Sequence, residues 1–557
     1  MKRTLSLLTF ALALTSARAS VVINETNFPD ENLRFVASQY DADEDGTLSD
    51  DELAEITEIN AGNIMNLKGA EHFKNLDFLC LYYGSDENPS ITSINLSLFP
   101  KLYRFSLQDC SGVTSLDFSK NPLLTEFELL RCPNVSSLKL PASVEQVGLD
   151  GAKSLTALDV SQLPKLRQFS MINSGVTDLN FSSNPVLSSV GITGTEGEKQ
   201  VLNSVNLTNC DGLENIDIRY TTITTLTMKH LPIVRSLMLL YNDVVSTTIE
   251  DCAEFNDITC DQNVLGTLYL KDNPLLQSVN TENNLLQVLI ADNCPKLGWV
   301  QAFNNCLMWL DLKDVKKAEN IEESMLKIDN QHPSVVAYKL SSTEVGLLVH
   351  ERFEVERVLD LVAGGKSVTP TWSTIDGKKY FVFSNDGANA DALVGKKTTY
   401  VYETKWPYKW IEGSDNTKDN NLPVTLNVTD VVKLASWIKM TAAQPIKAYV
   451  GHTVDGPIIS RSDKYDGALS FTMSEEDQEK GVLTVGADGK LTGLKAGTVT
   501  VTVTGAETDY RTAPVPISFT VTVEEGEPVA VLMGDVNNDG TIDIADAVKI
   551  VNKVVGK

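Results

Sequence analysis

From about residue 90 to 315, apolar residues return in pairs separated by one position, and the pairs themselves return at a fixed step. One series includes Leu116/Phe118, Leu138/Leu140, Leu158/Val160, Leu179/Phe181, Leu226/Met228, Leu268/Leu270 and Leu310/Leu312. A second lies midway: Phe105/Leu107, Phe127/Leu129, Val147/Leu149, Phe169/Met171, Val190/Ile192, Ile216/Ile218 and Leu237/Leu239. Each triplet has the period of two that marks a short half-buried strand. The step is about 22 residues, a length at which one coil of chain is one structural repeat. A lone coil cannot bury its own leucines, so the coils must stack on one another. At ~4.8 Å per stacked strand, about eleven coils make a rod roughly 50 Å long. One step is longer, with an insertion near Thr195–Val201.

Five residues after each first apolar position stands a small or polar residue. One arc has Asn121, Asn184, Cys210, Cys252, Asn273 and Cys294; the other has Cys110, Cys132, Ser174, Thr221, Asn242, Asn263, Asn284 and Asn305. Such side chains can satisfy backbone groups where the chain turns out of a strand. Segments such as SLDFSKNPLLTEFELL and TLYLKDNPLLQSVNTENNLL resemble the short repeats of bacterial secreted leucine-rich-repeat proteins. The resemblance covers close to half the chain. It implies the fold and leaves the ligand open. The register also places the eight cysteines: five in the turn slot and Cys260 inward, as buried thiols. Cys110 and Cys132 fall on adjacent coils, at bridging range.

Beyond the repeats the period is lost. Residues 331–429 contain strand-like runs such as Tyr380–Phe383 and read as a β-rich module of unknown type. From 430 to 525, a glycine-punctuated turn, DGKLTGLKAG, precedes the alternating Thr/Val run Thr498–Thr504. This resembles the group 2 bacterial Ig-like domain, which implies a β-sandwich spacer or adhesion unit. The expected fold is therefore mainly β: a leucine-rich-repeat solenoid, then β-sandwich (Ig-like) modules, then a short EF-hand-like helical tail. Expected boundaries are 1–19, 20–75, 76–330, 331–429, 430–525 and 526–557.

Two segments carry calcium-ligand spacing. In the first, Asp41, Asp43, Asp45, Thr47, Ser49 and Glu52 fall at loop positions 1, 3, 5, 7, 9 and 12, with Gly46 at position 6. Calcium needs six to eight oxygens, and only a looped chain brings so many together; Thr47 would serve through its carbonyl. Before the loop, Leu33, Val36, Ala37 and Tyr40 follow helical spacing behind Pro29. The segment FPDENLRFVASQYDADEDGTLSDDELAEIT resembles the calcium-loop caps that open secreted leucine-rich-repeat proteins.

The second segment is Asp535, Asn537, Asp539, Thr541, Asp543 and Asp546, with Gly540 at position 6 and an apolar-faced helix over Ile544–Val555. GDVNNDGTIDIADAVKIVNKVV resembles one repeat of the type I dockerin family, which uses two repeats to bind cohesin modules of polysaccharide-degrading complexes. Only one repeat stands here, and Ile544 and Ala545 occupy the positions that contact the partner in that family. The tail then reads as a cohesin-binding half, an intramolecular clamp, a sorting tail, or a fragment that pairs with another chain.

Charge narrows the partners. The 47 basic and 74 acidic residues leave a formal charge of −27, which repels a phosphate backbone and argues against general nucleic-acid binding. Lys2 and Arg3 before the apolar run Leu5–Leu14, then Ala17-Arg18-Ala19, predict a signal peptide cleaved after Ala19 and an exported or surface protein. No other apolar run reaches the ~18 residues of a membrane span, so no transmembrane segment is expected. Catalytic motifs were not found: His350-Glu351-Arg352-Phe353-Glu354 lacks the second histidine of a zinc helix, and Gly364-Gly365-Lys366-Ser367 lacks the first glycine of a phosphate loop.

Two surfaces offer recognition instead. Leu130, Ile172, Arg219, Met238, Leu240 and Phe303 read as outward residues of the second arc, the first two and last three as an exposed apolar stripe. Trp406, Tyr408 and Trp410 put three rings within five residues, a set that could stack on sugar. The expected function is non-catalytic binding or adhesion, toward a protein or glycan, with calcium-stabilised ends. The alternative is a non-catalytic, weakly sugar-binding component of a polysaccharide-degrading complex, docked through cohesin.

Overall fold

The computed structural model describes residues 20–84, 90–317, 324–384, 393–410, 414–441 and 445–526. The signal-peptide segment and the second acidic loop at 535–546, with Ile544 and Ala545, lie outside the described residues. The chain divides into two compact units. The first runs to Pro333 and includes Arg357–Asp360 and Thr399–Leu426; the second takes Ser334–Glu356, Leu361–Thr398 and the residues from Asn427 on.

The first unit is a leucine-rich-repeat solenoid. Its spine is a 13-stranded sheet, parallel throughout, that opens at Glu58–Gly62 and closes at Met325–Lys327. The midway triplets of the sequence form these strands. Their register is strict: Phe105 pairs with Phe127, Phe127 with Val147, Val147 with Phe169, and Phe169 with Val190. Because side chains alternate across a strand, this register sends every such residue into one core column. Phe105, Phe127 and Phe169 are each 2 % exposed or less. Phe105 and Phe127 stack at 6.0 Å, and Phe118 from the other arc meets both edge-on at 4.9 and 5.4 Å.

The other arc is less regular. It forms a four-stranded parallel sheet over Thr225–Lys229, Ser246–Glu250, Thr267–Lys271 and Val288–Asp292. Earlier it forms the strand pairs Ser115–Asp117 with Ser137–Lys139 and Asp178–Asn180 with Ser204–Asn206. At Leu96–Leu98 and Val160–Gln162 it makes single 3₁₀ turns instead.

The turn-slot residues are buried, as their spacing requires. Asn284 donates through Nδ2 to the Cys260 carbonyl at 2.9 Å and accepts through Oδ1 from the Leu265 amide at 3.0 Å. Asn305 repeats both bonds one coil on, to the Thr281 carbonyl and from the Leu286 amide. Cysteines fill the same slot with a weaker donor: Cys210 Sγ meets the Phe181 carbonyl at 3.4 Å and Cys294 Sγ the Leu270 carbonyl at 3.6 Å. All eight thiols are free, Cys110 and Cys132 included, and seven are buried. Burial pushes the Cys132, Cys210, Cys260 and Cys294 thiols up to about 12, so they are poor nucleophiles.

Both ends of the solenoid are covered. At the N-terminal end, a helix over Glu31–Ser38 starts at Asp30, whose carboxylate accepts from the Asn32 and Leu33 amides. Leu33 and Ala37 are its buried residues, and the helix stops short of Tyr40. At the far end, residues 399–426 return to the last coils. Tyr400 donates to the Met308 carbonyl at 2.6 Å, and the Leu312 amide donates to the Thr404 carbonyl at 2.9 Å. Arg357 joins them, 4 % exposed: it pairs with Asp311 at 2.8 Å, donates to the Glu403 carbonyl at 2.7 Å and lies over the Tyr402 ring.

In the second unit, Ser334–Lys339, Glu344–Leu348, Lys378–Ser384 and Thr371–Ile375 form antiparallel neighbours, with Asn427–Lys433 parallel to the first. Ile446–Tyr449, Ile517–Glu524, Gly497–Gly505 and Leu469–Met473 make a four-stranded sheet. The Thr/Val alternation is read out directly there: Val499, Val501 and Val503 are buried with Phe519, Val521 and Val523. Arg511, 1 % exposed, ties this region together through Asp376 at 2.7 Å, the Ala435 carbonyl at 2.6 Å and the Asp463 carbonyl.

Candidate functional site

The first acidic loop leaves the Glu31–Ser38 helix and enters a short strand, Thr47–Ser49, paired antiparallel with Ser20–Val22. Its sharp turn needs two left-handed residues, Glu44 and Gly46, with φ of 57° and 79°. That turn points backbone amides inward at carboxylates. Asp41 accepts from the Asp45 amide at 3.0 Å and the Gly46 amide at 2.9 Å, and Asp45 accepts from the Thr47 amide at 2.7 Å. Oxygens of Asp41, Asp43 and Asp45 lie within 4.8 Å of one another. Glu52 folds back over the loop, accepting from the Ala42 amide at 2.8 Å and from Ser49 through both amide and hydroxyl. It also completes a capping box that starts the Asp50–Glu55 helix.

The electrostatics of the loop follow from this crowding. The Asp43 carboxyl is raised above its ordinary value by desolvation, with the charges of Asp45, Glu52 and Asp41 adding to it. Glu52 is lowered, chiefly by the Ser49 amide. Three hard oxygen donors converging on a turn, with a fourth carboxylate adjacent, chemically suit calcium. Thr47 and Ser49 stand on the strand leaving the loop.

The second candidate is the outward face of the 13-stranded sheet. Each five-residue strand presents three outward positions, so the face carries three rows. The first row includes Arg104, Glu126, Gln146, Gln168, Ser189 and Asn215; the middle row includes Ser106, Glu128, Gly148, Ser170, Gly191 and Asp217. The last row runs Gln108, Leu130, Asp150, Ile172, Thr193, Arg219 and Leu240. A shallow groove of about 450 Å³ crosses the first and middle rows between Arg104 and Asp217.

These rows revise the expected apolar stripe. Leu130, Ile172, Met238, Leu240 and Phe303 are half-buried rather than exposed. They do not form one stripe: Met238 pairs in the middle row, and Asp150, Thr193 and Arg219 interrupt the last. Neighbouring rungs cover much of each side chain, an effect that sequence alternation alone does not register. Arg219 is turned onto its own strand, gripping Asp217 at 2.6 and 2.7 Å.

The aromatic cluster is also revised. Trp406 and Tyr408 are 8 % and 6 % exposed, their rings 5.1 Å apart, and the indole nitrogens of Trp406 and Trp410 are buried. Trp406 and Tyr408, packed in this way, have no free face for a sugar, whereas Trp410 is half-buried. The glycine-floored groove and the Asp261–Glu282 pair escaped the sequence reading. At that pair burial, with the Glu282 charge, pushes the Asp261 carboxyl up to about 7. A period-two glycine was the available signal for the groove.

Among the described residues no helix is long and apolar enough to cross a membrane. No protein-family profile matches the chain, and no curated protein matches it. Solved structures do. The functional domain of InlJ from Listeria monocytogenes, which includes a cysteine ladder, is 16 % identical, covers 74 % of this chain and 99 % of its own, with a TM-score of 0.29. The internalin InlF from Listeria monocytogenes is 17 % identical over 53 % of this chain and 87 % of its own, with a TM-score of 0.36. The leucine-rich repeat domain of APL1B is 17 % identical over 43 % of this chain and 66 % of its own, with a TM-score of 0.30.

Proposed function

We propose that this is an exported, non-catalytic recognition protein that engages a protein partner through the outward face of its 13-stranded sheet. The observation that carries the reading is the unbroken parallel ladder from Glu58 to Lys327. Its core columns are packed, so the outward rows form a stiff, pre-organised surface, and stiffness lowers the ordering cost of binding. Calcium at the Asp41–Glu52 loop would brace the end of that ladder, since an ion that binds only the folded state stabilises it by mass action.

The test is binding by the full chain to immobilised panels of extracellular proteins and of glycans, with calcium and with EDTA. Protein ligands that are lost in Ile172→Asp or Leu240→Asp, with folding retained, are expected. Ligands confined to glycans, or a protein ligand indifferent to both substitutions, would remove the proposal.

A further inference from the structure

The sequence places a module boundary at 429/430, where a spacer would be free to hinge. The second unit instead holds strands from both sides of that boundary in one compact body. Leu434, just past it, belongs to both sides at once. Its side chain, 4 % exposed, packs with Leu340, Ile375, Tyr380 and Val382 of the strands before the boundary. Its backbone pairs with residues near the end of the unit: the Leu434 amide donates to the Tyr510 carbonyl at 2.9 Å, and its carbonyl accepts from the Thr512 amide at 2.9 Å. Lys433 adds its ammonium to Glu507 at 2.5 Å and to the Thr508 carbonyl at 2.7 Å. A hinge needs a few residues free to change φ and ψ. Here the connecting residues are bonded on both sides.

A second joint reinforces the first. The hairpin between Thr371–Ile375 and Lys378–Ser384 turns on Asp376 and Gly377, with φ of 51° and 73°, the pair of left-handed residues that a two-residue hairpin loop requires. Its tip meets the turn at Asp463, and the contact is reciprocal. The Asp376 amide donates to the Asp463 carboxylate at 2.8 Å, and the Asp463 amide donates to the Asp376 carboxylate at 2.7 Å. Two carboxylates brought together in this way repel one another. Arg511, 1 % exposed, offsets the repulsion: it bonds the Asp376 carboxylate at 2.7 Å, the Ala435 carbonyl at 2.6 Å and the Asp463 carbonyl. One guanidinium therefore holds a hairpin tip from before the boundary, the connecting segment, and a turn from after it. We infer that Arg511 is a latch, through which the strands on the two sides of residue 430 open together as a single cooperative body. Without it the joint keeps its facing carboxylates and loses the charge between them, so attraction turns to repulsion. The latch is independent of what the solenoid binds.

Hydrogen exchange on the full chain in mild urea reads the coupling. Peptides covering Lys378–Ser384 report one side of the joint and peptides covering Gly497–Gly505 the other. In the parent, the slowest amides of the two sets should share one opening event and exchange within about ten-fold of each other. Arg511→Met should drive the two sets more than about ten-fold apart. Adding Asp463→Asn keeps an oxygen for the Asp376 amide and removes one of the facing charges, so it should narrow the split; a role in packing alone would not respond to that charge. Should methionine prevent folding, Arg511→Lys retains the charge with fewer donors and is read in its place, against the same threshold. Lys447→Met loses only an exposed ion pair with Glu524 and should leave the sets together. The latch is refuted if the parent sets already differ by more than about ten-fold, if the Arg511 variant leaves them together, or if Asp463→Asn fails to narrow the split.

Discussion

Replacing Asn284 by alanine tests the physical basis of the stack. The side chain is 5 % exposed and holds the preceding coil by two bonds. Its Nδ2 reaches the Cys260 carbonyl at 2.9 Å, and its Oδ1 takes the Leu265 amide at 3.0 Å. Alanine strips the Leu265 amide of its acceptor, while the Cys260 carbonyl keeps the Asn263 Nδ2 donor at 3.0 Å, so about 1–3 kcal/mol is lost. Asn284→Cys should fall between. A thiol can donate weakly, as Cys294 does to the Leu270 carbonyl, but it gives the Leu265 amide no comparable acceptor. The chain has two compact units, so a global melt would mix transitions. Hydrogen exchange in peptides covering residues 257–301 isolates the local opening. The expected order of protection is parent, then cysteine, then alanine. If alanine changes protection there by less than about 0.5 kcal/mol, the turn-slot side chains do not hold the coils and the argument fails.

Three further outcomes follow from the geometry. Arg357→Met leaves the half-buried Asp311 carboxylate with Lys313 alone, strips the Glu403 carbonyl of its guanidinium donor and should lower stability by about 2–3 kcal/mol, read as earlier urea unfolding with faster exchange in 399–426; no change in either would mean that this segment does not close the solenoid. Calcium at 100 times its dissociation constant should raise stability by about 2.7 kcal/mol, and Asp41→Ala should abolish that rise in a calorimetric scan; an identical rise in the variant would exclude this loop as its source. Asp261 is raised in the folded chain to about 7 from 3.8, chiefly by burial. Its contribution to stability is therefore full below about pH 4 and is lost as pH climbs through about 7. Asp261→Asn should flatten stability over that window in pH-dependent denaturation, and an unchanged slope would show that its carboxyl titrates normally.

The repeat itself was legible because it is a local signal. A triplet such as Phe127-Glu128-Leu129 needs only the period of a strand, and the recurrence of such triplets needs only counting. The turn slots were legible for the same reason, including the burial of thiols in place of asparagine. The acidic loop carried its own spacing, and the structure adds the amide contacts within it. Less visible was the left-handed residue that ends many strands, such as Asp109, Arg131, Tyr220 and Tyr241. Only the ladder makes that conformation tolerable for residues other than glycine, as when the Asp109 amide bonds the Leu130 carbonyl of the next coil.

By itself, then, the chain's order of residues determined that leucines would face inward on stacked coils, since no other arrangement hides them at that period. It could not say how deep each outward side chain would sit, because that depends on neighbours about 22 residues away in both directions. Leu130 and Ile172 became half-buried for this reason, and Trp406 and Tyr408 disappeared into a core. The return of 399–426 to the last coils, clamped by Arg357 on Asp311, is a contact across 46 residues of chain that no local pattern encodes. The groove over Gly148 and Gly191 is likewise a property of three strands side by side. Each glycine alone is a weak strand residue; in register, the two leave a space that a folded surface can use.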